Sequence, residues 1–368
     1  MKTFVLVAGA RPNFMKIAPL LHAMDRDPRG LRAHLVHTGQ HYDAGMSDVF
    51  FQQLGIRAPD VYLGVGSGSH GAQTAKVLAA FEELLEGHVP RPCGVVVVGD
   101  VNSTMAAALA AVKLQLPVAH VEAGLRSGDR TMPEEINRLV TDAISELLLV
   151  SEPAGEANLR AEGIPSHRVV YVGNVMIDTL ARELPAARAL GMPARLGLAD
   201  APFALLTLHR PSNVDDPSRL SELVDFITSL TRDLAVVFPA HPRTRARLDE
   251  FGFTDRLRAL GRVQLAAPLG YRENLSLMAA ARVVVTDSGG IQEETSFLGV
   301  PCLTLRPNTE RPVTVELGTN TVVGHDLVLA RALVDDVLAG RYKRGGPIRG
   351  WDGHAAERVI AALAERWS

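Results

Sequence analysis

The stretch GVVVVGD, residues 94–100, decides the fold class. Val95, Val96, Val97 and Val98 follow one another with no polar alternation, whereas a strand with one wet face alternates with a period of two. An unbroken β-branched run of this length fits a strand covered by helices on both faces, as in a parallel α/β sheet. Gly99 permits a sharp turn, and Asp100 leads into Val101-Asn102-Ser103-Thr104, which reads as a helix entry.

The same strand–turn–helix pattern extends outward in both directions. In the first half the predicted strands are Phe4–Ala8, His34–Thr38, Gly94–Val98, Pro117–Val121, Leu147–Ser151 and Val169–Val172. Helical patterns over Phe14–Met24, Ala72–Leu85 and Ser103–Lys113 separate them. A second series has strands at Phe203–Leu208, Ala235–Phe238, Val283–Thr286 and Cys302–Leu305. Alternating β and α elements over 368 residues predict two doubly wound, Rossmann-like α/β domains, since one core rarely grows that large. Leu180–Asp200, with Pro185 and Pro193, is the expected crossing. The expected domains are 1–180 and 181–353, with a terminal helix over 354–368 that the sequence leaves free to pack on either.

Composition narrows the function. A net charge of −3 offers no basic footprint, so nucleic acid is not an expected partner. Cys93 and Cys302 form no ligand or redox spacing, which points to a reducing compartment. The apolar run in MKTFVLVAGA is shorter than a signal h-region of roughly 7–15 residues and reads as a buried first strand. No stretch approaches the roughly 20 apolar residues of a membrane span, so a soluble, cytoplasmic protein is expected.

In doubly wound sheets ligands meet the carboxyl ends of the strands. After the first strand, Gly9-Ala10-Arg11-Pro12-Asn13 turns into a helix carrying Lys16; free amides and two cations there suit a phosphate. This is neither a P-loop nor GxGxxG, which argues against ATP and NAD. In the second half, Asp287-Ser288-Gly289-Gly290 opens a helix, with Ser288 as a cap and glycines permitting close approach of a diphosphate. Glu293 and Glu294 read as first-turn carboxylates favoured by the helix dipole, with one able to reach ribose hydroxyls. Arg311 is a further phosphate candidate. His209 and His241 follow strands and are expected to face the ligand. No HExxH, CxxC or His/Asp cluster is present, so no catalytic metal is expected.

Asp100 and Glu122 leave the ends of two strands and can converge above one sheet; Asp100 can equally cap the next helix. Thr131-Met132-Pro133-Glu134 has capping-box spacing, which assigns Glu134 to a helix start. Ile136, Leu139, Val140, Ala143, Ile144 and Leu147 then mark an apolar helix face, with Glu135 and Arg138 as a surface i,i+3 pair. Asp129 and Glu135 read as structural.

The motifs GARPNFMK (9–16), GD (99–100), HVEAGLRSGD (120–129), MPEEINR (132–138), LTLHR (206–210), TDSGGIQEE (286–294) and TERP (309–312), taken together, resemble the non-hydrolysing UDP-N-acetylglucosamine 2-epimerases. The resemblance implies a glycosyltransferase-B fold, two Rossmann-like domains facing across a cleft. It implies C2 epimerisation of UDP-N-acetylglucosamine through elimination of UDP and re-addition, with no nicotinamide or metal cofactor, and a homodimer. It makes Asp100, Glu122 and Glu134 catalytic, with His209 near sugar and phosphates. It makes Arg11, Lys16, His209, Ser288, Gly289, Gly290, Glu294 and Arg311 the UDP site. Departures are Asn13 in place of the usual Glu, Pro211-Ser212 after His209-Arg210, and Gln40-His41-Tyr42-Asp43 where a regulatory Gln-x-x-Gln is common. Lys76 likewise stands about where an arginine is usual. These leave room for a modified substrate, such as a diacetamido-uronic acid nucleotide, and a hydrolysing relative is the other alternative.

Overall fold

A computed structural model describes residues 2–9, 11–39, 51 and 54–367, leaving aside the side chains of Arg11 and Pro12. The chain forms two compact units, Met1–Thr179 with Arg349–Ser368, and Leu180–Ile348.

The first unit is built on β1 (Lys2–Ala8), β2 (Leu31–His37), β3 (Val61–Tyr62), β4 (Gly94–Val98), β5 (Val118–Ala123), β6 (Leu147–Val150) and β7 (Val169–Tyr171). They form one parallel sheet in the order β3-β2-β1-β4-β5-β6-β7. Helices α1 (Arg11–Arg26), α2 (His70–Glu86), α3 (Asn102–Lys113), α4 (Pro133–Ile144) and α5 (Pro153–Ala161) connect them, and α6 (Val175–Ala189) carries the chain onward. The valines of β4 lie at the centre of this sheet and are all buried. Each contributes roughly 1.5–3 kcal/mol by leaving water, which is why this run tolerates no polar residue.

The second unit repeats the plan. Its strands are β8 (Phe203–Thr207), β9 (Ala235–Pro239), β10 (Val263–Ala266), β11 (Val283–Thr286), β12 (Cys302–Thr304) and β13 (Asn320–Val322). The parallel order is β10-β9-β8-β11-β12-β13. Its longer helices are α7 (Pro217–Leu230), α8 (Pro242–Glu250), α9 (Tyr271–Met278), α10 (Gly289–Leu298) and α11 (Leu327–Leu338). Strands β3, β10 and β13 were not expected from sequence. All three are short and lie at sheet edges, and β10 and β13 mix polar with apolar residues, so no hydrophobic run marks them.

In each sheet the strand order reverses once, between β1 and β4 and between β8 and β11. Those reversals open the crevices where doubly wound sheets bind ligands. The last helix, α12 (Ala355–Arg366), belongs to the first unit. Asp178 accepts hydrogen bonds from Ala355 N (3.0 Å) and Ala356 N (2.6 Å) at its start. At its end Lys2 Nζ donates to the Trp367 carbonyl (2.9 Å), and the Trp367 ring lies 5.8 Å from that of Phe4.

Candidate active site

In the first unit the residues after β1, β4 and β5 come together. Asn13 donates through Nδ2 to the Val98 carbonyl (3.1 Å) and accepts from Gly9 N (3.2 Å). Asn13 thus ties the turn after β1 to the end of β4. Lys16, expected from sequence to meet phosphate, lies buried within 2.7 Å of both Glu122 carboxylate oxygens. Gly99 makes room for it: its φ is +67°, and a Cβ there would stand 2.8 Å from Lys16 Nζ.

Glu122 is held in an unusual way. Its φ is +73°, a left-handed conformation that costs a non-glycine residue of order 1–3 kcal/mol. It sits where the β5–β6 register shifts between Val121 and Ala123. The bulge re-aims the side chain at the strand end, so β5 runs on past the predicted Val121.

Asp100 does not cap α3, whose N-cap is Val101 without a side-chain bond. Its carboxylate pairs with Arg138, and its carbonyl accepts from Asn137 Nδ2 (2.8 Å). Arg138 also reaches Glu135 (3.4 Å), and Glu135 gathers Ser127 N (2.8 Å), Ser127 Oγ (2.9 Å) and Gly128 N (3.2 Å). The pair read as surface decoration is buried and organises the site.

Two further expectations about α4 are overturned. No capping box forms: Pro133 takes the first helical position, which its fixed φ and missing N–H suit, so Met132 is the N-cap. Thr131 turns to Asp129 instead, donating N (2.9 Å) and Oγ1 (2.6 Å) to Oδ1. The helix is also inverted. It buries Glu135, Asn137, Arg138, Thr141 and Asp142, while Ile136 is 36% exposed and Ala143 is exposed. Glu134 is half-buried, one turn before Arg138 on the same stripe of α4.

In the second unit the organiser is Asp287, which is fully buried. It accepts from His209 N (3.1 and 3.0 Å), Arg210 N (2.8 Å) and Asn213 Nδ2 (3.1 Å), and pairs with His209 Nδ1 at 2.9 Å. Burial disfavours its charge, but the His209 imidazole and these amides outweigh burial and hold the carboxyl below its ordinary value. His209 Nδ1 therefore donates, leaving Nε2 as the nitrogen that can meet a ligand. His241 lies beside it, ring centroids 5.6 Å apart, but serves as a helix cap, accepting from Arg243 N (3.3 Å). Burial, with the neighbouring His209 and Arg243, pushes the His241 pKa down.

Ser288 is the N-cap of α10, yet its side chain makes no capping bond; its N–H goes to Thr286 Oγ1 (3.0 Å). Beneath the helix start lies Arg311, so close that a Cβ on Gly289 would stand 2.6 Å from its Nη1. Arg311 is paired with Glu293 (2.6 Å) and Glu310 (3.0 Å), and Glu310 with Arg306 (2.8 Å), all buried. Arg311 thus stands beneath the helix terminus in a buried cluster of two arginines and two glutamates. Glu293 and Glu294 fall after the first turn, because the helix begins at Gly289. Glu294 is buried beside Tyr271; burial pushes its pKa up to about 7, the Tyr271 hydroxyl opposes this, and Glu293 adds to it.

The family model of UDP-N-acetylglucosamine 2-epimerases matches residues 22–364. The chain belongs to this family. A UDP-N-acetylglucosamine 2-epimerase of Methanocaldococcus jannaschii is 40% identical over 97% of this chain and 98% of that protein. A crystal structure of the 2-epimerase from that organism, in complex with UDP-GlcNAc and UDP, superposes with a TM-score of 0.88, covering 99% of this chain and all of that one. A UDP-2,3-diacetamido-2,3-dideoxy-D-glucuronate 2-epimerase of Pseudomonas aeruginosa is also 40% identical, over 98% of both chains. In epimerase terms, the two Rossmann-like units of the glycosyltransferase-B type are present.

Of the epimerase residues expected from sequence, Lys16, Asp100 and Glu122 are brought together in one unit, and His209, Ser288, Gly289 and Gly290 line the ends of β8 and β11 in the other. The Arg11 side chain and Gln40-His41-Tyr42-Asp43 lie outside the described residues. Lys76 is exposed on α2. Sequence reasoning missed Arg138, Asn137, Asp142 and Asp287 as organisers. The available signal was the polar surplus on one face of α4. Among the described residues no group of three or more His, Cys, Asp or Glu is arranged to hold a metal ion, and no helix is long and apolar enough to cross a membrane.

Proposed function

We propose that the chain interconverts UDP-N-acetylglucosamine and UDP-N-acetylmannosamine. A carboxylate takes the C2 proton, the anomeric C1–O bond breaks, and UDP departs with the electron pair, leaving 2-acetamidoglucal. A proton then returns to C2 on the opposite face as a UDP oxygen adds to C1. The observation that carries this reading is the pair of carboxylates at the adjacent ends of β4 and β5, each held by its own buried cation, Asp100 by Arg138 and Glu122 by Lys16. Removing and returning a carbon-bound proton needs two placed acid–base groups, and these two, with Glu134, supply them.

The second unit supplies the nucleotide end. The amide-lined start of α10, with Arg311 beneath it, suits the charge that builds on departing UDP. His209 Nε2, oriented through Asp287, is assigned to the phosphates or the leaving oxygen. Glu294 is assigned to the ribose hydroxyls, which a carboxyl near half-protonation meets with less repulsion from the diphosphate than a full carboxylate would. The equal similarity to the diacetamido-glucuronate enzyme supports a second substrate reading on the same chemistry.

One experiment tests both. Purified protein is incubated in D2O with UDP-N-acetylglucosamine and, separately, with UDP-2,3-diacetamido-2,3-dideoxy-D-glucuronate. Deuterium at C2 of the recovered nucleotide sugars is expected. Complete retention of hydrogen with both overturns the reading, and release of free sugar instead indicates a hydrolysing enzyme.

A further inference from the structure

His120 lies on β5, directly before the strand end that carries Glu122, and it is fully buried. Its Nδ1 is 2.6 Å from Asp142 Oδ1 and its Nε2 is 2.8 Å from the Gly99 carbonyl. A carbonyl oxygen accepts hydrogen bonds and cannot donate. Asp142 is bound as a carboxylate at its other oxygen, where the Arg126 guanidinium (2.7 Å) and Gly124 N (3.0 Å) both donate to Oδ2, so Oδ1 too accepts. A neutral imidazole has one bare nitrogen, whose lone pair would face an oxygen lone pair at one of these two short contacts. Only the doubly protonated ring satisfies both.

The local charges agree. Asp142 Oδ2 also takes Arg126 Nη2 (2.7 Å) and Gly124 N (3.0 Å), and Arg126 continues to Glu162 (2.7 Å). Two carboxylates thus face Arg126 and His120, and the four groups balance only when His120 is charged. Asp142 holds Gly124, two residues after Glu122, while His120 holds Gly99, the residue before Asp100. Gly99 N in turn donates to the Val121 carbonyl (3.1 Å). The turn carrying Asp100 is therefore pinned from both sides to the strand end carrying Glu122.

We propose that His120 is a buried imidazolium that, with Asp142, acts as a positioning pair setting Asp100 against Glu122. The catalytic half of this inference rests on the epimerase reading above; the protonation half does not. The test uses the full-length protein labelled with ring-15N histidine at pH 7.5. The signal of His120, one of 12 histidines, is assigned by its loss in His120→Gln. Protons on both ring nitrogens are expected, and a bare ring nitrogen overturns the proposal whatever the kinetics show.

The kinetic arm uses Asp142→Asn, which can offer an N–H to Nδ1 and so permits a neutral ring. Loss of one ring proton is expected in that variant, with kcat falling about 100-fold, KM within about twofold and the far-ultraviolet circular dichroism of the wild type. If Asp142→Asn does not fold, His120→Gln, which keeps a donor towards Gly99, is read in its place. Unchanged kcat in the folded variant overturns the positioning role. Wild-type protein inert on both nucleotide sugars removes the epimerase reading instead, while the nitrogen signals still decide the protonation of His120.

Discussion

At the scale of single residues, Glu122 carries most information. A glutamate with φ of +73° is an expensive choice, and it persists because Lys16 and the irregular end of β5 hold it. Such strain suits a side chain whose direction matters more than local stability. Glu122→Gln and Asp100→Asn are expected to lower kcat by about 10²–10⁴, the range for lost acid–base catalysis, while UDP affinity measured by calorimetry stays near wild type. Wild-type turnover in both would remove these carboxylates from the mechanism.

Glu294 yields a pH prediction. Its folded pKa, about 7, lies above the ordinary glutamate value of 4.5. Between those values the folded state holds more protons than the unfolded chain, so this group makes stability fall as pH rises from about 4.5 to about 7, with no further change above. Glu294→Gln is expected to flatten that part of the profile, raising the melting temperature relative to wild type more at pH 8 than at pH 5. An identical slope in both proteins would show that Glu294 ionises as freely in the folded state as in the unfolded chain.

At the scale of elements, α4 and α12 are each fixed by carboxylates that do not belong to an ordinary cap. Helix α4 turns its polar stripe inward because Asp100, Ser127 and Gly124 wait there for Arg138, Glu135 and Asp142. Hydrophobic periodicity alone chooses the other face. The N-cap of helix α12 is His354, whose side chain makes no capping bond, and Asp178 from α6 takes over that role. Asp178→Ala leaves two amides without their acceptor and is expected to cost about 1–3 kcal/mol of unfolding free energy. Asp178→Asn keeps an acceptor oxygen and is expected to lose less. Urea titration of both variants checks the order, and equal losses would contradict the capping role.

At the scale of the whole molecule, the chain leaves the first unit in α6 and returns at Arg349 to complete it. The returning segment is tied by Trp351 Nε1 to the Ser151 carbonyl (3.0 Å) and by α12, which buries Val359, Ile360 and Leu363. Removing the residues from Ala355 onward strips three large apolar side chains, each worth roughly 1.5–3 kcal/mol, from the core of the first unit. Calorimetry of the truncated chain is expected to show the first unit melting at lower temperature while the transition of Leu180–Ile348 is retained. Simultaneous loss of both transitions would mean that the units do not melt separately.

By itself the sequence determined what depends on neighbours along the chain. The valine run of β4, the glycine turn after it, the glycines that open α10, and the alternation of strand with helix follow from periodicity and local backbone freedom. So did the carboxylates at strand ends, because a parallel sheet always presents those ends to its ligand. Only the tertiary structure decided which charges meet. Arg138 read as surface decoration, Lys16 as a phosphate cation and His120 as nothing in particular. Their partners Asp100, Glu122 and Asp142 lie 38, 106 and 22 residues away. A charge is cheap in water and expensive when buried, and which of the two it meets is set by chain segments that no local pattern can see.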